Sequence, residues 1–205
     1  MSAVVNRKNE VLQDPPFAQK IFSDRRASWF WLVLRVWLGW QWIEASLHKI
    51  NEPAWVQTGE AIKGYWVNAV AIPEVGRPAV SFDWYRGFLQ MLIDSNAHTY
   101  MGPLVAYGEL LVGIGLIVGA FTGIAAFFGA LMNWNFMMAG SASSNPMLFI
   151  IAIGVILAWK VAGYIGLDFF LLRFIGTPWR GQPTEKVNVA PAAAPHGTVL
   201  SPSLE

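Results

Sequence analysis

Cysteine is absent from this 205-residue chain. Within the chain this excludes disulfides, thiolate metal sites, cysteine-ligated iron–sulfur clusters and a cysteine persulfide. Charge is scarce as well: Asp, Glu, Lys and Arg together make up 13% of residues, and the net charge is +1. Such a balance lacks the basic footprint of a nucleic-acid binder. Over Tyr107–Ser144, YGELLVGIGLIVGAFTGIAAFFGALMNWNFMMAGSASS, the polar helix face is missing too. Helices without one cannot present a side to water, so the stretch reads as a tight transmembrane hairpin. Its polar exceptions are Glu109, Asn133 and Asn135. Charged and amide side chains at membrane depth are costly unless another group answers them, which makes these residues the first candidates for function.

What is abundant agrees with that reading. The chain is 55% hydrophobic and carries 11 Trp and 13 Phe. Windows long enough to span, at about 20 apolar residues each, lie at roughly Ser28–Ile50, Gly102–Phe121, Gly123–Ala142 and Pro146–Tyr164. The expected fold is all-α: an integral membrane four-helix bundle with amphipathic surface helices in a long outer loop, residues 51–101. Residues 1–27 form an N-terminal interfacial arm, 28–176 the transmembrane domain, and 177–205 a Pro/Ala-rich tail expected to be disordered. The first apolar run begins only near Ser28 and is long enough to span, so it reads as a span and not as a cleavable signal. Arg7, Lys8, Lys20, Arg25 and Arg26 precede it, and Arg173, Arg180 and Lys186 follow the last span, against Lys63, Arg77 and Arg86 in the long loop. The positive-inside rule then places both termini in the cytoplasm and the loop outside.

Asp14-Pro15-Pro16 reads as a helix start, an N-cap followed by proline in the first turn, leading a short interfacial helix. In the loop, Ile62, Tyr65/Trp66 and Ala69 share one helical face, and Phe82, Tyr85, Phe88/Leu89 and Leu92 share another, with Pro73 and Pro78 between them. These helices either lie on the outer surface or cap the mouth of the bundle as a lid. Small residues recur at Gly115, Gly119 and Gly123, and at Gly154, Ala158 and Ala162, a spacing that lets helix backbones approach closely in membranes. The short links Ala120–Gly123 and Ser141–Pro146 make consecutive spans antiparallel neighbours.

The first span is interrupted by Arg35, Gln41, Glu44, His48 and Lys49. At about 100° per residue, Arg35, Gly39, Trp42, Ser46 and Lys49 share one face, while Gln41, Glu44 and His48 share a second. Lys49 and His48 either reach the headgroups or serve a site; Arg35 and Glu44 lie deeper, where a buried, paired role is expected. A rise of about 1.5 Å per residue sets Arg35 and Lys160 toward the inside, Glu44 and Glu109 toward the outside, and Asn133 and Asn135 between. Those two amides stand roughly 200° apart on the wheel, so only one can face the bundle axis. The polar groups either hold the bundle together or converge on a cleft rich in aromatics, with Trp37, Trp40, Trp42, Trp134, Phe136 and Trp159 on the same helices. An apolar cleft with a few convergent polar groups suits a flat redox ring such as a quinone. Carboxylates or a histidine beside it could exchange the protons of quinone reduction. The expected site lies between the first three helices on the outer side. In it Glu44, His48 and Glu109 handle protons, and Trp42, Trp134, Asn133, Asn135 and Arg35 hold the ring. Glu109 is expected to be answered by Arg35 or Asn135.

The stretches LRVWLGWQWIEASLHKI, GELLVGIGLIVGAFTGIAA, MNWNFMMAGSASSNP and ILAWKVAGYIGLD together resemble the DoxX/DoxD family of small four-helix membrane proteins, over roughly Leu34–Asp168. The resemblance implies a bilayer-embedded protein of a prokaryotic cytoplasmic membrane that works with other membrane subunits. Members similar to DoxD are implicated as the membrane subunit of thiosulfate:quinone oxidoreductase, which couples oxidation of thiosulfate to tetrathionate with quinone reduction. An anionic sulfur substrate needs a cation, for which Lys49 or Arg35 is available. Two other functions compete with a quinone-linked oxidoreductase subunit: a non-catalytic accessory subunit of a larger respiratory or photosynthetic complex, and a small transporter or proton pathway.

Overall fold

The computed structural model describes residues 14–174. Among them every regular element is helical. A short helix α1 (Pro16–Phe22) and a 3₁₀ turn (Arg25–Ala27) lead into α2 (Ser28–Ile50), after which α3 (Pro53–Val56), α4 (Glu60–Val70) and α5 (Asp83–Asp94) occupy the long loop. The chain continues through α6 (His98–Val118), α7 (Thr122–Met138), α8 (Asn145–Leu157), α9 (Trp159–Ala162) and α10 (Asp168–Phe174). All the expected apolar windows are helices, and the fourth is broken at Ala158 into α8 and α9. Among the described residues one helix, α6, is by length and composition long and apolar enough to cross a membrane. α7 has 17 residues and α8 13, while α2 is 23 residues long and carries Arg35, Glu44 and Lys49.

α2 packs along α6, α6 against α7, α7 along α8, and α8 back against α2. The core they enclose includes Trp31, Leu38, Trp42, Leu116, Ala126, Ala152 and Val155. On α2, Arg35, Gly39, Trp42 and Ser46 of the face that the periodicity predicts are buried, with Leu38 beside them, while Lys49 at the end of that face is partly exposed. Close approach of α2 and α6 depends on two glycines: a Cβ on Gly39 would lie 2.8 Å from the Gly113 carbonyl oxygen, and one on Gly113 would lie 2.8 Å from that of Gly39. The expected Gly115/Gly119/Gly123 stripe does not form one interface. Gly115 faces Ala125 and Gly123 faces Trp159, whereas Gly119, at φ 72°, ends α6 in the left-handed conformation that glycine adopts without strain.

Distant residues complete the helix ends. Asp14 does not cap α1; Pro15 occupies that position and no side chain caps it. The N-terminus of α7 is held instead by Asp168, whose carboxylate accepts from the Phe121 N–H at 2.6 Å and the Thr122 N–H at 2.8 Å. Arg35, fully buried, donates from Nη1 to the Leu116 carbonyl at 2.6 Å and from Nη2 to that of Ile165 at 2.8 Å. This ties the C-terminal turn of α6, whose carbonyls lack helical partners, to the segment before α10. Arg25, at the same end, bonds the Tyr164 hydroxyl. The tail expected to be disordered, 177–205, lies outside the described residues.

The long loop packs as a lid with a core of its own, built from Ile62, Trp66, Ala69, Val80, Tyr85 and Leu89 with Ala97 and Ala139. Two tyrosines pin it to the end of α7. Tyr65 donates to the Phe136 carbonyl at 3.1 Å. Tyr85 lies 3.0 Å from the Asn135 carbonyl oxygen and 3.1 Å from its Oδ1. Burial, and then the neighbouring Tyr65, push the Tyr85 hydroxyl up to about 12. Burial also raises Tyr65, outweighing its bond with Ser141. A released tyrosine ionises near its ordinary value of about 10, so the undocked lid binds fewer protons between about pH 10 and about pH 12. Docking should therefore be insensitive to Tyr85 ionisation below that window and weaken within it. Tyr85→Phe should cost ~0.5–1.5 kcal/mol, seen as faster amide exchange in α5 while α2 and α6 stay protected. Unchanged exchange in α5 would show that the hydroxyl does not hold the lid.

Candidate functional site

The C-terminal half of α2, Glu109 on α6, the lid, the end of α7 and the start of α8 line an open chamber of about 490 Å³ with a mixed polar and apolar wall. Its central contact is an ion pair: Lys49 Nζ on α2 lies 2.8 Å from Glu109 Oε2 on α6, with the Glu109 side chain fully buried and that of Lys49 17% exposed. Lys49 also sits 5.3 Å from the Trp55 ring centroid and 5.9 Å from that of Phe136, so aromatic faces share the cation. The partner of Glu109 is thus neither Arg35 nor Asn135. Residues 49 and 109 reach one another because each stands on the buried side of its helix where α2 and α6 cross, a meeting that helix wheels alone do not define.

Three buried side chains of the chamber wall keep polar atoms without a protein partner: Trp42 Nε1, Glu109 Oε1, and both Nδ2 and Oδ1 of Asn133. Asn133 and Glu109 are at 0% exposure and Trp42 at 3%. Buried polar groups are satisfied in the great majority of cases, and an unmade bond costs about 1–3 kcal/mol. Of the eight such atoms among the described residues, these four belong to side chains that line the chamber, and the others are Arg35 Nε, Arg86 Nε, His98 Nδ1 and Thr122 Oγ1. Glu44 and His48 also line the chamber, with exposed side chains, and both line an adjoining cleft of about 410 Å³. They form the rim through which the chamber communicates with its surroundings.

The other residues singled out in the sequence lie elsewhere. Asn135 is turned to the lid, where its Nδ2 donates to the Leu131 carbonyl at 2.8 Å and its Oδ1 accepts from Tyr85. Of the two amides it is Asn133 that faces the bundle interior. Trp134 stacks on Trp84, centroids 6.4 Å apart, and does not line the chamber. Arg35 is at the other end of α6. Trp37 and Trp40 are exposed on the perimeter and, like Trp159, do not line the chamber; of the aromatics expected there Trp42 and Phe136 do, joined by Trp55 and Tyr65. Tyr65, Ser141, Ser143, Ser144 and Asn145 complete the wall without having been anticipated. The polar run SASSN at the α7–α8 turn was the signal for the last four, legible as a link but not as a cavity wall.

Against known proteins, the family model described as DoxX matches residues 30–141. That span covers α2 through the end of α7, including the ion pair and Asn133. No curated protein and no solved structure matches the chain.

Proposed function

From membership of the DoxX family, to which this chain belongs, we propose that it is an integral membrane subunit of a quinone-linked oxidoreductase. Its bundle spans a prokaryotic cytoplasmic membrane with both termini inside, and its chamber receives a quinone ring. Large apolar side chains exposed around the bundle support the membrane placement: Trp29 and Val33 on α2, Leu104 and Leu111 on α6, Ile124 and Phe127 on α7, Met147 and Ile150 on α8. A soluble monomer rarely carries so continuous an apolar surface. Basic residues before α2, and Arg173 near the end of α10, support the orientation.

The observation that carries the redox reading is the set of unpartnered buried polar atoms beside the Lys49–Glu109 pair. Trp42 Nε1–H and Asn133 Nδ2–H are two donors for the two carbonyl oxygens of a ring. When bound, a quinone supplies the two-electron, two-proton acceptor chemistry. Lys49 and Glu109 hold a proton beside that ring, and Glu44 and His48 at the rim exchange it with water. Electrons come from a sulfur oxyanion of the thiosulfate class, two of which couple to tetrathionate with release of two electrons, through another membrane subunit or at the outer mouth.

The chamber is tested by titrating a short-chain benzoquinone into the purified protein and its Trp42→Phe and Asn133→Leu variants. Each should weaken binding about 3- to 10-fold, as expected for a lost hydrogen bond. No binding to the parent, or parental affinity in both variants, would remove the proposal.

A further inference from the structure

A second cavity, an apolar groove of about 790 Å³, runs beside the chamber, and Tyr65 and Phe136 belong to the walls of both. The groove follows the seam between α6 and α7 from Ala139 beneath the lid to Phe121 at the connecting turn. At about 1.5 Å per residue that is on the order of 27 Å, close to the ~30 Å hydrocarbon thickness of a bilayer. Gly108 and Gly115, two turns apart on α6, are part of its wall, and an added Cβ at Gly108 would find only Met132 Sδ, at 4.0 Å.

The two cavities differ in their free hydrogen-bonding capacity. The groove's tyrosines and its asparagine already bond within the protein: Tyr65 to the Phe136 carbonyl, Tyr85 to Asn135, and Asn135 to the Leu131 carbonyl. The chamber keeps unpartnered donors and an acceptor next to a cation. A ring with polar substituents gains from the chamber and nothing from the groove; a hydrocarbon chain gains from the groove alone, by leaving the polar region around the lid. Tyr65 and Phe136, edge to face with centroids 6.3 Å apart, stand where the two meet.

Resting on the quinone reading above, we infer that the chamber and the α6–α7 groove form one bipartite site for an amphiphile whose polar ring enters the chamber while its single isoprenoid or alkyl chain lies in the groove, past Tyr65 and Phe136. The groove's occupant is the ligand's own chain. A bulk lipid chain or a helix of a second copy would use the same apolar surface without regard to what fills the chamber.

The test compares a benzoquinone carrying a decyl chain with the same ring carrying only a methyl group, each titrated into parent, Gly108→Leu and Leu111→Trp proteins in one detergent. Partition into detergent is common to all three, so the ratio of the two affinities reads the groove. The parent should favour the decyl compound at least tenfold more than the variants do, with methyl-ring affinity held within threefold throughout. Leu111 is 69% exposed, so its variant keeps the test open should Gly108→Leu fail to fold. An equal ratio in parent and variants, with the methyl ring still bound, overturns the groove while leaving the chamber standing. Loss of self-association in the variants at an unchanged ratio overturns it in favour of an interface between copies. No binding of either compound to the parent overturns both readings.

Discussion

Lys49→Ala should destabilise the protein by about 3–5 kcal/mol, the usual consequence of removing one member of a buried ion pair. Glu109 has nowhere to go: its side chain is fully buried, and its second oxygen already lacks a partner. Glu109→Gln should cost less, because Lys49 is 17% exposed and can carry its ammonium toward water. Lys49→Met combined with Glu109→Leu should recover most of the loss, since well-packed apolar replacements of buried pairs are often neutral or stabilising. Thermal unfolding in mild detergent reads all four proteins. If Lys49→Ala melts like the parent, the pair is not a structural element and its 2.8 Å contact carries no weight. The double variant also separates roles: a protein that regains its stability but not its quinone affinity assigns the pair to the site.

Arg35→Ala should be of comparable size, about 3–5 kcal/mol, because hydrogen bonds to a charged donor contribute about 1.5–3 kcal/mol each and several end together. The Leu116 and Ile165 carbonyls would be stranded at a junction where Asp168 also caps α7. Lysine should rescue only in part, since one ammonium cannot reproduce the planar fork that reaches two separate backbone segments. Binding at the chamber should stay at the parental level in Arg35→Lys, because the guanidinium lies at the opposite end of α6 from His98 and the lid. A folded Arg35→Lys protein with sharply reduced quinone affinity would instead return Arg35 to the ligand-binding set where the sequence analysis placed it.

Local periodicity carried the reading a long way. Arg35, Gly39, Trp42 and Ser46 were expected on one face of α2 and are buried together. Ile62, Trp66 and Ala69 were expected to share one face of their surface helix and are buried together, whereas of the face expected from Phe82, Tyr85, Phe88/Leu89 and Leu92 only Tyr85 and Leu89 are buried, with Phe82 and Phe88 exposed. Such faces follow from about 100° per residue and the cost of exposing or burying each side chain, and both are properties of a short stretch. The same logic could state that Asn133 and Asn135 diverge, but not which one faces the interior. That depended on which side of α7 the lid would cover, and Tyr85, 50 residues away in sequence, claims Asn135.

Pairing was the level at which the sequence fell silent. Arg35 and Glu109 looked like natural partners because both are ionisable groups within apolar spans, yet Arg35 bonds the C-terminal end of α6 at Leu116, about two turns beyond Glu109, which Lys49 meets instead. Charge attraction falls with distance, and distance across helices depends on crossing geometry, here on the close approach at Gly39 and Gly113. By itself, then, the amino-acid sequence determined the helical class, the order of the main helices and much of their buried faces, all consequences of interactions within a few turns. The tertiary structure alone decided that Lys49 answers Glu109, that Asp168 caps α7, and that Trp42, Glu109 and Asn133 line one chamber. These are contacts between residues tens of positions apart, and no local preference encodes which distant faces meet.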